Sequence, residues 1–179
     1  AAVPDGCVVV IDEAYAEFRR VGTQSAASLI PEYPHLAVSR TMSKAFGLAG
    51  GRLGYLVAHE PLIDVLRLVR LPYHLSAVTQ ATARAALAHH LELQAQVDEI
   101  RAERDETVAW LRAQGYTVAD TDANFALFGP FEDRERVFEG LLARGVLIRV
   151  TGPEGWLRVS IGTPQEMALF RSALLEVTS

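Results

Sequence analysis

A single cysteine, Cys7, stands among 179 residues, which excludes a disulfide framework and a cysteine-based zinc site and fits a reducing, cytoplasmic setting. No Lys/Arg-rich run is present, and 17 basic against 22 acidic residues give a formal charge of −5. A chain of that balance is not expected to follow a nucleic-acid backbone. No apolar stretch approaches the roughly 20 residues needed to cross a bilayer. The first residues, Ala1-Ala2-Val3-Pro4-Asp5-Gly6, have neither the basic start nor the apolar middle of a signal peptide. A soluble protein without a membrane partner is therefore predicted. The five histidines, His89-His90 included, contain no His-x-x-x-His pair, so no metal is expected. Internal repeats and low-complexity segments are also absent.

What is present is enough apolar material for a core, with 50% hydrophobic and 22% charged residues. Cys7-Val8-Val9-Val10-Ile11 is an uninterrupted, largely β-branched run, which predicts a central parallel strand buried on both faces with Asp12 at its carboxyl end. Ligands of open α/β sheets gather at that end. Leu36–Ser39 and Leu53–Ala58 read as two further strands, with Thr41 to Arg52 as the loop between them. Helical spacing then sets in, with Leu62, Val65, Leu66 and Val69 on one face and a stop at Leu71-Pro72. A second helix is expected from Ser76 or Ala77, and a long polar-faced one from about Leu91 to Gln114, stopped by Gly115. The remainder reads as a compact α+β unit. Its strands fall at 124–128, 146–150 and 156–161, with a helix over 134–143 and a last helix capped by Thr163, Pro164 and Glu166. The expected class is α/β, with a mainly parallel sheet and its helices over 1–90, a connecting helix over 91–115 and a small α+β domain over 116–179.

Three clusters carry chemistry. Asp12-Glu13-Ala14-Tyr15 follows the first strand, Ser39-Arg40-Thr41-Met42-Ser43-Lys44 the second, and Gly47-Leu48-Ala49-Gly50-Gly51-Arg52 completes the loop. A lysine amine can join an aldehyde covalently, two hydroxyls and an arginine can hold a phosphate, and a carboxylate can keep a ring nitrogen protonated. Together they predict a pyridoxal 5'-phosphate site. The Gly-Lys-Ser/Thr ending of a nucleotide P-loop is missing, so the phosphate belongs to a cofactor and not to a nucleoside triphosphate. Desolvation and nearby positive charge would favour the neutral, nucleophilic amine of Lys44, which can also move a proton between carbon atoms. Arg52 offers a planar, permanently charged counter-ion. Each residue has a structural alternative: a solvated Lys44, a turn-forming Asp12, a core Tyr15, Thr41 and Ser43 as helix caps, and Arg149 and Arg158 as salt-bridged strand residues. Arg40 is assigned no role.

These motifs, with Gly-Leu-Ala-Gly-x-Arg-x-Gly-Tyr, the later Ala123-Asn124-Phe125 and the two strand arginines, resemble the fold-type I pyridoxal-phosphate-dependent aminotransferases. The resemblance is closest to the histidinol-phosphate branch and runs from Val8 to about Val177. It implies that the chain corresponds to the carboxyl-terminal half of such an enzyme, since the family's glycine-containing phosphate turn, ring-stacking residue and Asn-Pro segment have no counterpart here. It further implies Lys44 as catalytic and cofactor-bearing, Asp12 at the ring nitrogen, Tyr15 at the phenolic oxygen, and Thr41, Ser43 and Arg52 at the phosphate. Arg158 matches the substrate-carboxylate arginine, Arg149 the arginine for substrate phosphate, and Asn124 lines the pocket. The Pro72–Ser76 loop approaches a neighbouring subunit's site in the family, which implies a homodimer with Tyr73 lent to the partner. The implied substrates are histidinol phosphate and glutamate/2-oxoglutarate, in histidine biosynthesis. An aromatic amino-acid aminotransferase of the same fold is the alternative, and a non-catalytic binding or assembly module is the alternative of another class.

Overall fold

The structure is a computed structural model that describes Val3, Pro4 and residues 6–179. Ala1, Ala2 and Asp5, part of the segment read above as lacking signal-peptide character, lie outside the described residues. The chain divides into two compact units, 1–95 and 96–179.

The first unit holds a mixed three-stranded sheet of β1 (Val9–Asp12), β2 (Leu36–Thr41) and β3 (Gly54–Ala58) in the order β1-β2-β3. β1 runs parallel to β2, with Val9 opposite Leu36 and Asp12 opposite Ser39. β3 returns antiparallel, with Arg40 opposite Tyr55 and Thr41 opposite Gly54. Gly54 is required by this approach, because a Cβ there would lie 2.6 Å from the Arg40 carbonyl oxygen. Ile30, Leu36 and Val38 are buried together and pack with Val9, Ala26 and Ala27, so the 3-10 turn Ala26–Leu29 covers one face of the sheet.

The prediction for the first strand is corrected: β1 is an edge strand, not a central one buried on both faces. Only β2 pairs with it among the described residues, and no helix covers its outer side, so Val10 is 60% exposed. Its composition reports a surface suited to burial, not the burial itself. The same holds for α1 (Glu60–Val69), which forms behind Pro61 in its first turn yet buries none of its residues. α2 (Ala77–Ala88) starts where the Ser76 hydroxyl accepts the Thr79 N–H.

α3 (His90–Ala113) carries the unit boundary within it and ends at Gly115, whose φ of 90° favours glycine. The second unit is a two-layer α+β fold. Its antiparallel sheet has the order β4-β5-β7-β6, from β4 (Thr117–Val118), β5 (Phe125–Gly129), β6 (Arg149–Val150) and β7 (Leu157–Ser160). One face of the sheet, with Ala126, Phe128, Leu157 and Val159, is sealed by Leu111 of α3, by Val137 and Leu141 of α4 (Arg134–Ala143), and by Met167, Phe170 and Leu174 of α5 (Pro164–Thr178). Period-2 alternation in the strands and 3-to-4 spacing in the helices put these residues inward.

The segment 146–150 pairs over Arg149–Val150 alone and not along its length. Val146 instead donates its N–H to the Leu141 carbonyl to close α4, while Val146 and Ile148 still alternate into the core. The short β4 was not expected at all, because a two-residue pairing carries no period. At α5, the Thr163 hydroxyl accepts the Glu166 N–H at 3.3 Å and the Glu166 carboxylate accepts the Thr163 N–H at 2.7 Å, the reciprocal cap read from sequence. Thr163→Ala should therefore destabilise the protein by about 1 kcal/mol in denaturant unfolding, with Thr163→Ser close to the parent.

Candidate active site

Asp12 ends β1 and Ser39 lies beside it on β2, so the parallel register sets the two side chains on one face of the sheet. The Asp12 carboxylate accepts the Ala14 N–H at 3.0 Å and the Ser39 hydroxyl at 3.4 Å. This bends the chain into a 3-10 turn, Ala16–Phe18, anchored by the fully buried Phe18. Tyr15 is the residue immediately before that turn, and its ring centroid lies 5.3 Å from the Lys44 Nζ. Two motifs 29 residues apart in sequence thus meet at one place.

The loop that brings Lys44 there is fixed from both ends. Thr41 belongs to β2 and not to the loop. Met42 is buried, donates its N–H to the Leu53 carbonyl and accepts the Leu48 N–H, each at 3.0 Å. Lys44 opens a turn closed by the Gly47 N–H at 3.0 Å, with Gly47 at a φ of 64° that glycine tolerates best. Between them the Thr41 hydroxyl accepts the Ser43 N–H at 3.1 Å and donates to the Ser43 hydroxyl oxygen at 2.9 Å. The Thr41 hydroxyl also lies 3.3 Å from the Leu53 carbonyl, an alternative acceptor for its one hydrogen.

Arg52 follows the 3-10 turn Ala49–Gly51 in the left-handed region, at φ 48° and ψ 44°, which costs a non-glycine residue about 1 kcal/mol. It is exposed and, among the described residues, gives only an Nη1 hydrogen bond to the Ala49 carbonyl, at 3.0 Å. Lys44 is likewise exposed, not desolvated as the sequence reading anticipated, because nothing among the described residues covers it. It is also the sole lysine of the chain, a signal in the sequence that the motif reading passed over.

The substrate candidates lie on the second unit. Arg149 and Arg158 are direct cross-strand partners, so two cations share the sheet face opposite the core. The Arg158 guanidinium stacks 4.7 Å from the Phe125 ring centroid, and its buried Nε has no hydrogen-bond partner among the described residues. Neither arginine is paired with a carboxylate there, unlike Arg112, Arg144 and Arg171. Asn124 precedes β5, and its carbonyl accepts the Ile161 N–H at 2.9 Å. Tyr73 sits in the turn between α1 and α2 at φ 55° and is 99% exposed. No group of three His, Cys, Asp or Glu residues suited to a metal occurs among the described residues, and no helix is long and apolar enough to cross a membrane.

Residues 1–174 match the model of the aminotransferase class I and II family. The chain belongs to that family. It is 64% identical over 178 residues to the histidinol-phosphate aminotransferase of Thermobifida fusca, covering 99% of this chain and 48% of that protein. With the enzyme of the same name from Bifidobacterium adolescentis it shares 59% over 176 residues, 95% of this chain and 45% of the relative. Among solved structures, the histidinol-phosphate aminotransferase of Sinorhizobium meliloti in complex with pyridoxal-5'-phosphate superposes with a TM-score of 0.85 at 26% identity, over 98% of this chain and 50% of that one. The chain therefore spans about half the length of the aminotransferases it matches.

Two structural residues escaped the sequence reading. Arg104 is 1% exposed and donates to the Asp105 carboxylate and the Ala123 carbonyl, at 2.9 and 3.3 Å. Its place in the inward series Val97, Ile100, Arg104, Leu111 was visible as helical spacing. Arg40 is bound to Glu13, with Nη2 and Nε 2.6 and 3.0 Å from one carboxylate oxygen. Burial raises the Glu13 pKa, but hydrogen bonds from Ser25, the Ala26 N–H and Arg40, together with the Arg40 charge, outweigh it and hold the carboxyl below its usual range. A carboxyl lowered on folding stabilises the fold above its unfolded pKa and loses that contribution as pH falls through the folded value. Acid unfolding below about pH 4.3, the ordinary glutamate value, should thus be less steep in Glu13→Gln than in the parent, and equal slopes by circular dichroism would contradict the assignment.

Proposed function

We propose that this chain supplies the cofactor lysine and the substrate arginines of a cytoplasmic, homodimeric histidinol-phosphate aminotransferase, which transfers an amino group from histidinol phosphate to 2-oxoglutarate. The observation that carries the reading is the meeting of Lys44 with the Asp12–Tyr15 turn, in a chain 64% identical to an aminotransferase of that name. The donor set fits pyridoxal 5'-phosphate: a primary amine for the aldehyde, the paired Thr41 and Ser43 hydroxyls and the guanidinium of Arg52 for phosphate oxygens, and the Asp12 carboxylate for a protonated ring nitrogen. Gly54 supports the fit, since a side chain there would displace the strand end that carries Thr41.

When bound, the cofactor supplies an electron-withdrawing ring that accepts the electrons of the substrate Cα–H bond. Lys44 would hold the cofactor aldehyde, and its amine, when free, would carry the proton at the substrate Cα. Asp12 would keep the ring nitrogen protonated, Tyr15 would donate to the phenolic oxygen, and Thr41, Ser43 and Arg52 would hold the phosphate. Arg158 binds the carboxylate of glutamate with its fork, while Arg149, its cross-strand partner, binds the phosphate of histidinol phosphate. Asn124 would contribute to substrate binding beside Arg158, and Tyr73 is offered to the partner subunit.

Assays of the full-length enzyme with histidinol phosphate and with phenylalanine in parallel test the substrate. A preference for histidinol phosphate is expected, and a clear preference for phenylalanine would replace this assignment with the aromatic one. Arg149→Ala should raise the KM for histidinol phosphate by about 10- to 100-fold, the worth of a charge-assisted phosphate contact, with little change for phenylalanine.

A further inference from the structure

The side chains of β2 alternate, so Ser39 and Thr41 face the site while Arg40 points to the opposite face, where Leu36 and Val38 pack. β1 divides in the same way. Asp12 faces the site, and Glu13 continues the parallel ladder with its N–H on the Ser39 carbonyl at 2.9 Å while its carboxylate reaches Arg40 beneath the sheet.

Glu13 is joined there to two other segments at once. Its oxygens accept the Ser25 hydroxyl at 2.8 and 3.0 Å, the Ala26 N–H at 2.7 Å and both Arg40 donors. Arg40 in turn donates to the Ser25 hydroxyl at 2.9 Å, lies 3.8 Å from Glu17, and faces Tyr55 across the β2–β3 pairing. Both side chains are mostly covered, at 20% and 12% exposure, so neither can lose its partner without leaving a partly desolvated charge.

The main chain of Glu13 also accepts the Ala16 N–H at 3.0 Å and so closes the turn that presents Tyr15 to the Lys44 amine. Any shift of Glu13 moves Asp12 on one side and Tyr15 on the other. We propose that Arg40 and Glu13 are positioning residues that hold the Asp12–Tyr15 turn in register with Thr41–Lys44 from the far side of the sheet. The proposal rests on the reading of this site as one for pyridoxal phosphate.

A displacement of about 1 Å at such a site costs on the order of a hundredfold, which is why a pair that touches no ligand can govern one. The test uses the full-length enzyme and the variants Arg40→Gln, Glu13→Gln, their combination, and Arg40→Lys. Pyridoxal phosphate is titrated by its visible absorbance, the bound band is followed against pH, and the melting temperature is recorded alongside. Each single variant should raise the cofactor dissociation constant by about 10- to 100-fold and move the pH midpoint of the band. The double variant should be no worse than the worse single, and Arg40→Lys, which keeps the charge and loses the fork, should recover part of the loss.

Variants that lose melting temperature while keeping the parent's dissociation constant and midpoint would overturn the proposal, as would additive losses in the double variant. If Arg40→Gln does not fold, the same two readouts on Arg40→Lys decide. A parent enzyme without the absorbance band, or a Lys44→Ala variant that keeps it, would overturn the cofactor reading itself and this proposal with it.

Discussion

The parallel register of β1 on β2 is the constraint on which the candidate site depends. Because Asp12 lies opposite Ser39, the first strand delivers a carboxylate to the same sheet face that receives Thr41, Ser43 and the loop to Lys44. A slip of one residue would turn Asp12 to the face where Leu36 and Val38 are buried and bring Glu13 up in its place. The polar contacts beneath the sheet, from Glu13 to Ser25, Ala26 and Arg40, are satisfied in this register. Apolar burial above Leu36 and Val38 and charge pairing at Glu13 therefore select the same arrangement.

The two units achieve stability differently. The second seals a sheet face with three helices and closes its last helix with a reciprocal cap. Its opposite face is left with Arg149 and Arg158, unpaired with any carboxylate among the described residues, which is the condition for an anion to bind there without first displacing a protein partner. The first unit has a small core around Ile30, Leu36 and Val38 and keeps Val10, Leu68 and Val69 in solvent. A chain that spans about half the length of its relatives carries a complete sheet–helix layer in one part and a half-covered one in the other.

What the sequence made legible follows from how local each signal is. The helix over 134–143, the helix start near Ser76, the cap at Thr163, the stop at Gly115 and the placing of Asp12 at a strand end all rest on residues close together in the chain. The burial of β1 on both faces did not come out as predicted, because an apolar run states that a face can be covered and says nothing of what covers it. Arg40 was passed over for a related reason. Its partner Glu13 is 27 residues away, and only the strand pairing brings them together. The site motifs were readable because Thr41, Ser43, Lys44 and Arg52 follow one another within 12 residues at the spacing of the family they resemble, whereas the approach of Tyr15 to Lys44 is a tertiary fact.

The most direct measurement is reduction of the pyridoxal-phosphate-loaded full-length enzyme with borohydride, followed by peptide mapping. The account predicts the added pyridoxyl mass on the peptide containing Lys44, the only lysine in these 179 residues. Recovery of that peptide unmodified, with the mass on a lysine elsewhere in the protein, would contradict it.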